Sequence, residues 1–404
     1  AQHHDTVTTQ RQLPQGADQG PFRQGRGRAE LPAGSTGTVF TAAGLWPLLA
    51  LLADGSGGPA RAELAQALDI PAEAAGPAAR ELLAALAGVR GLRTATGLWT
   101  GAGLPLEEDW SAQLPAGARG TLTGDPDADA KALDAWASER TNGLIERMPV
   151  ALDEDTLLVL ASALTLRLRW IQPFDEWEGE LHTGPWAGRR IRTLYRSTSL
   201  LDRVRVAHGP TGAVTLLEVV GSAGVDVHLV LGEPEAPAGG TLTTGIAAVT
   251  RALRATGASL LPDGRPGPGL AVATVAAHSP EPRLDIETVA FEVRSEHDLL
   301  DHAGLFGLKT ATDTVRGHFP GVSARPLAIT SARQSALARF DAEGFEAAAV
   351  TGFGIAAGCA APARTRYRAR RAEVHFDRPF GFLAVHRTSR LVLAAGWVAE
   401  PEAA

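Results

Sequence analysis

From Phe345 to Ala356 the chain alternates: Phe345, Ala347, Ala349, Thr351, Phe353 and Ile355 fall on one side. Glu346, Ala348, Val350, Gly352, Gly354 and Ala356 fall on the other. Period-two alternation with one mostly apolar side predicts a strand that can be half buried. The same run is rich in Ala and Gly, which pack weakly within a sheet. A polar turn, Asp341-Ala342-Glu343-Gly344, leads in; Ala360-Ala361-Pro362-Ala363 and an arginine-rich tract lead out. Such a segment is competent to join a sheet and equally competent to stay out of one. A fold for this chain has to accommodate both states.

With 404 residues the chain suffices for one large domain or two ordinary ones. A hydrophobic content of 45% and a charged content of 21% match a globular protein with an ample core. The net charge of -7 gives no reason to expect nucleic acid as a partner. Lys131 and Lys309 are the only lysines, and the excess of Arg, Ala and Gly reads as a coding bias towards GC. The single cysteine, Cys359, rules out an internal disulfide framework and a multi-cysteine metal site. The longest apolar run, Leu45 to Ala53, falls short of the roughly 20 residues that span a bilayer, so no membrane partner is expected. The first residues lack the basic-then-apolar pattern of a signal peptide, which leaves cytoplasmic and extracellular locations both open.

Residues 1–37, rich in Gln, Gly, Arg and Pro, read as a loosely ordered arm ahead of a single domain over 38–404. Helices are expected over Leu45–Ala53 with Pro47 in the first turn, Ala60–Leu68, Pro77–Leu86, Trp110–Leu114 and Asp127–Met148. Thr94–Thr100 and Thr156–Arg169 read as strands. From Thr183 onwards the pattern is mostly strand, over Thr193–Leu200, Val204–Ala207, Ala213–Val220, Val225–Leu231 and Pro282–Phe291. Helices at Ile246–Ala255 and Leu299–Leu305 interrupt it. Helices first and strands later, without regular alternation, define an α+β class.

Catalytic and cofactor motifs are missing. There is no G-x-x-x-x-G-K-[ST] loop, no strand-anchored G-x-G-x-x-G, no H-E-x-x-H and no G-x-S-x-G elbow. The eleven histidines show no ligand spacing, and His3-His4 sit in the arm, so no metal or cofactor is expected. Cys359 as a nucleophile has no neighbour in the sequence that would lower its pKa. A protein acting through conformation or binding is the better reading.

Seven stretches, in order over residues 38–401, resemble the serpin family. Thr96-Gly97-Leu98-Trp99 with Leu104-Pro105-Leu106 fits an early strand and loop of that family. Asp134-x-Trp136 with Thr141-Asn142-Gly143-x-Ile145 is similar to its N-x-W-x-x-x-x-T-x-G-x-I helix, with Asp in place of Asn. Leu160-Ala161-Ser162-Ala163 through Trp170-Ile171-Gln172-Pro173-Phe174 resembles its L-V-N-A … K-W-x-x-P-F strand. Phe319-Pro320-Gly321-Val322-Ser323 looks like its F-S-G-I-S turn. Glu343-Gly344-x-Glu346-Ala347-Ala348-Ala349 resembles its reactive-loop hinge. Phe376-Asp377-Arg378-Pro379-Phe380-Gly381-Phe382 and Gly396-Trp397-Val398 with Pro401 are similar to its closing signatures.

The resemblance implies a three-sheet α+β fold with about eight or nine helices and an exposed reactive loop over roughly 343–372. It also implies a monomeric suicide inhibitor of serine proteases, not an enzyme. The loop is cut, the protease is held as an acyl-enzyme, and the loop inserts into the large sheet. The hinge would be Glu343, Gly344, Phe345, Glu346, Ala347, Ala348 and Ala349, with Phe345 where the family favours Thr or Ser. A ring there must find room before the strand zips in, so Phe345→Thr is expected to speed insertion. Thr41, Gly44, Ser162 and Gln334 stand in the family's sheet-opening region, and Trp170 at its breach. Counting forward from the hinge puts the reactive bond at Gly358-Cys359, which suits subtilisin-like or elastase-like targets. Counting back from Phe376 puts it near Arg368, and Arg364, Arg366 and Arg368 are alternative sites for a trypsin-like enzyme, unless the tract is a solvated ribbon. The other function class is a serpin-fold binding or structural protein whose loop is cut without trapping a protease.

Overall fold

The computed structural model describes residues 37–148, 150–345 and 366–404. The chain enters through β1 (Thr38–Phe40) and α1 (Ala42–Asp54). Thr41 caps α1 by accepting a hydrogen bond from the Gly44 N–H, so the helix starts before the apolar run and Pro47 lies inside it, beyond the first turn. Almost every α1 residue is buried, as an all-round apolar helix requires. Against it lie α2 (Gly58–Leu68) and α3 (Ala72–Ala87), the latter starting before Pro77. Next come β2 (Leu92–Gly101), α4 (Glu108–Ala112), β3 (Arg119–Leu122) and α5 (Pro126–Arg140). The helix expected to reach Met148 stops at Thr141 because Asn142 and Gly143 take left-handed backbones (φ 55 and 79). Asp134 then accepts the Met148 N–H at 2.7 Å, and Trp136 packs edge-on against Trp99.

Strands dominate from there: β4 (Leu158–Leu166), β5 (Leu168–Arg169), β6 (Asp175–Glu180), β7 (Arg190–Thr198), β8 (Val204–Gly209), β9 (Gly212–Val220) and β10 (Val225–Gly232). The helix α6 (Ala238–Val249) follows Pro237, earlier than the expected Ile246 start. Then come β11 (Ala255–Gly257), β12 (Gly264–Gly267), β13 (Leu270–Ala277), β14 (Arg283–Val289), β15 (Phe291–Asp298), β16 (Ser331–Phe340) and β17 (Gly344–Phe345). The chain closes with β18 (Tyr367–His375), β19 (Phe380–His386) and β20 (Val392–Val398). The α+β reading holds, with six α-helices among the described residues where eight or nine were expected. Leu299–His302, expected as a helix, is a single 3-10 turn.

Three sheets form. The central sheet runs β1-β20-β19-β10-β9-β8-β11, and a second sheet runs β12-β13-β18-β14-β7-β6. The large sheet holds β3, β2, β4 and β16, with β15 on the far side of β16 and with β17 and β5 at one end. One apolar core, including Leu160, Leu164, Ala336, Phe340, Phe345 and Phe382, joins the large and central sheets. A separate cluster under α5 covers the other face of the large sheet through Leu133, Val159, Ala161 and Ala163.

Candidate functional site: a seeded gap in the large sheet

β4 and β16 run parallel as direct neighbours, from Ser331 opposite Val159 to Ala336 opposite Leu164. Past that point they diverge, and β17 fills the space. Phe345 pairs antiparallel with Phe340 on one side and with Leu168 on the other, and Gly344 pairs with Arg169. The end of the gap therefore already contains the first rung of an additional strand.

Local chemistry holds that rung in place. The Asp341 carboxylate accepts the backbone N–H of Glu343 (2.9 Å) and of Gly344 (3.0 Å), which closes the turn between β16 and β17. Burial pushes the Asp341 carboxyl above its ordinary range, against the opposing pull of those two N–H donors. Trp170 donates its indole N–H to the Asp341 carbonyl at 2.9 Å and its backbone N–H to the Glu343 carbonyl at 3.0 Å. Its ring lies 4.9 Å from that of Phe340. Gly344 is required by close approach, since a Cβ there would sit 2.0 Å from the Leu168 carbonyl oxygen. Phe345 is only 2% exposed, and its ring lies 6.2 Å from that of Phe382. The ring expected to obstruct insertion is already seated in the core.

Further along the gap the structure brings together Thr41, Gly44, Ser162 and Gln334. The Gln334 carboxamide accepts the Thr41 N–H and donates to the Thr41 carbonyl, both at 2.9 Å. It also donates to the Ser162 hydroxyl at 3.4 Å. The Thr41 hydroxyl donates to the Leu393 carbonyl at 2.5 Å. Thr41, Ser162 and Gln334 are fully buried, so these bonds carry the weight of polar contacts in a low dielectric. A Cβ at Gly44 would approach the Ser162 hydroxyl to 2.9 Å, so α1 sits directly against β4 here.

Glu346, Ala347, Ala348, Ala349, Gly358, Cys359 and Arg364 lie outside the described residues. Arg366 is the last residue before β18. Arg368, expected on an exposed loop, instead lies within β18, opposite Ala276 of β13, and donates to the Thr274 carbonyl. The backbone of Arg368 is engaged by β13 along one side only, because β14 pairs with this strand from Arg371 onwards. From Tyr367 the arginine tract is a strand antiparallel to β13, and from Arg371 it is also parallel to β14. Its small residues Ala369, Ala372 and Val374 are buried, while Arg370 donates to the Ala258 carbonyl and Arg371 pairs with Asp285 at 2.9 Å. The expected loop therefore loses its last residues, 367–372, to β18. Sequence reasoning passed over β13 and the Asp341 anchor. The alternation of Leu270 and Val272 was the available signal for the former, and the Asp-x-x-Gly turn for the latter.

The profile of the family described as Serpin (serine protease inhibitor) matches residues 29–182 and 277–401. The chain belongs to the serpin family. It is 23% identical over 390 residues to the "Serine protease inhibitor" of Cyanea capillata, covering 92% of this chain and 94% of that protein. It is 31% identical over 189 residues to "Serpin-ZXA" of Oryza sativa subsp. japonica, a match that spans 42% of this chain and 47% of the rice protein. Among solved structures, a serpin from the trematode Schistosoma haematobium superposes with a TM-score of 0.67 at 14% identity, covering 92% of this chain and 96% of that one. Thyroxine-binding globulin in complex with thyroxine gives a TM-score of 0.69 at 15% identity, covering 92% and 95%. The family is one of protease inhibitors, not of catalysts.

Proposed function

We propose that this chain is an inhibitory serpin whose segment after Phe345 is cleaved by a serine protease and then inserts between β4 and β16. The observation that carries the proposal is β17, an antiparallel seed lodged between strands that are parallel to each other. Continuing its register sets Ala347 opposite Ala338 and Leu166, Ala349 opposite Ala336 and Leu164, and Thr351 opposite Gln334 and Ser162. Those β4 and β16 residues are buried, which matches the small and apolar side of the segment. Insertion would replace one parallel ladder with two antiparallel ones, the slightly stronger pairing per residue. Phe353 and Ile355 would add roughly 1.5–3 kcal/mol each on full burial. Against this stand the Gln334 hydrogen bonds to Thr41 and Ser162, which the entering strand must displace or replace.

The forward count supports Gly358-Cys359 as the reactive bond, because β18 holds the chain from Tyr367 onwards and leaves the extra residues after the cut. A small residue at Gly358 suits a subtilisin-like or elastase-like protease. The alternative, a serpin-fold binding protein cut without trapping, draws support from the same Phe345, whose buried ring anchors the hinge. The test mixes the protein with subtilisin, elastase, chymotrypsin and trypsin and looks for an SDS-stable complex, with the released carboxy-terminal peptide weighed by mass spectrometry. A complex and a peptide starting at Cys359 are expected. Clean cleavage without a complex, and without a rise in Tm of the cut protein, would transfer the case to the binding reading.

A further inference from the structure

Away from the large sheet, a cavity of about 40 Å3 lies where the end of α6 crosses the central sheet. Its charged lining is Arg203, Arg205, Glu218, His228, Arg251 and Arg390. The pairing of β9 with β10 sets Glu218 directly beside His228, and β8 brings Arg205 alongside. Arg251 follows α6, and Arg390 sits in the turn between β19 and β20. Four guanidinium groups thus face one carboxylate, and that carboxylate is committed to Arg203 at 2.9 Å. Asp226, on the same strand as His228, is held by Arg387 at 2.7 Å, and the Asp202 carboxylate accepts the Ser259 N–H. The last carbonyls of α6 are also engaged, by the backbone N–H groups of Thr250, Arg251 and Leu253.

Two buried polar atoms in this lining have no partner among the described residues: Nε2 of His228 and Nε of Arg390. His228 is only 6% exposed. A buried donor without an acceptor is costly, and a surplus of like charge around a cavity adds to the cost. We propose that this cavity is a binding site for a small oxyanion, inorganic phosphate or a short carboxylate, whose oxygens accept from Arg390 Nε and His228 Nε2 inside a rim formed by Arg205 and Arg251. One water needs about 10–15 Å3 of such space, so there is room for a ligand of a few heavy atoms and not for a large one. The electrostatics agree. Burial holds His228 down to about 4, only partly offset by Asp226, and Arg390 and Arg205 add to the depression. The ring is therefore neutral near pH 7 and free to place its one proton on Nε2. Burial and then Arg251 depress the Arg390 guanidinium, outweighing the upward pull of Glu218 and Asp226.

The full chain, with its histidines labelled with nitrogen-15, is titrated separately with inorganic phosphate, sodium acetate and sodium chloride while the His228 ring nitrogens are followed by NMR. A saturable His228 shift with phosphate or acetate, absent with chloride, is expected, and the ratio of the two affinities says which oxyanion the site prefers. Arg390→Gln should weaken binding about tenfold or more, in line with loss of a charge-assisted hydrogen bond. Arg251→Gln, at an exposed position, keeps the test decisive where the Arg390 variant does not fold; it should weaken binding about threefold through the rim charge alone. Phosphate should also raise the Tm of the parent protein and not that of Arg390→Gln. Absence of any saturable shift, or equal affinity in a folded Arg390→Gln protein, would overturn the proposal.

Discussion

Replacing Phe345 by Thr separates two views of the hinge. If the ring obstructs insertion, the smaller side chain should speed inhibition. The structure argues otherwise, because the ring is 2% exposed and packed in the core while β4 and β16 are still paired beyond it. Truncating a buried Phe costs about 3–5 kcal/mol, and a buried hydroxyl without a partner adds about 1–3 kcal/mol, while the methyl group of Thr returns part of the loss. A net loss of about 4 kcal/mol is a fair expectation. For a domain of this size that corresponds to a fall in Tm of about 5 °C. The same ring would occupy the same rung after insertion, so the loss applies to both forms and nearly cancels in the driving force between them. The assay compares Tm before and after loop cleavage in parent and variant, together with the rate of complex formation against a protease that the parent traps. Because a Tm depends on scan rate wherever unfolding is irreversible, scan rates must match. Parallel falls in both Tm values with an unchanged inhibition rate are expected. A variant that keeps the parent's native Tm and inhibits faster would refute the argument.

Other perturbations follow from the same geometry. Ala349→Arg would place an unpaired charge opposite Ala336 and Leu164 on insertion, so the yield of covalent complex should collapse while loop cleavage continues; densitometry of the two products decides. Gln334→Ala strips the buried Thr41 N–H and C=O of their partners, for a loss of about 2–4 kcal/mol, read as faster unfolding in denaturant. Asp341→Asn keeps an oxygen for the Glu343 and Gly344 N–H groups and removes a charge that burial disfavours, so the native Tm at pH 7 should rise. The sign follows from linkage: a carboxyl raised above its unfolded value of 3.8 destabilises the folded state once ionised. That penalty is complete above the folded pKa and fades as pH falls through it towards 3.8, so the advantage of the Asn variant should shrink over the same window; a constant difference between the two proteins would contradict it.

How much was legible in the sequence depended on the range over which each signal acts. Alternation in Leu158 to Leu168, and in Val225 to Leu231, located strands because the side-chain period is set by the backbone itself. The α+β class and the ordered family signatures were readable for the same reason, each being a local pattern. Where a local rule failed, a contact from elsewhere had decided. α1 starts early because Thr41 caps it, and the arginine tract is a strand because β13 supplies an edge along it and β14 a second edge from Arg371. Nothing in the tract's own composition announces those edges.

The candidate site divides in the same way. A segment able to live inside or outside a sheet was evident from Phe345 to Ile355 alone, since alternation and small side chains are properties of the chain. Whether Phe345 obstructs or anchors was not, because the answer rests on where the Phe382 and Phe340 rings stand. The bonds from Gln334 to Thr41 join residues 293 apart, and the cavity around His228 draws on four neighbouring strands, the end of α6 and the turns that carry Arg251 and Arg390. Periodicity records which way a side chain points relative to its own backbone. Only tertiary packing decides what it meets there.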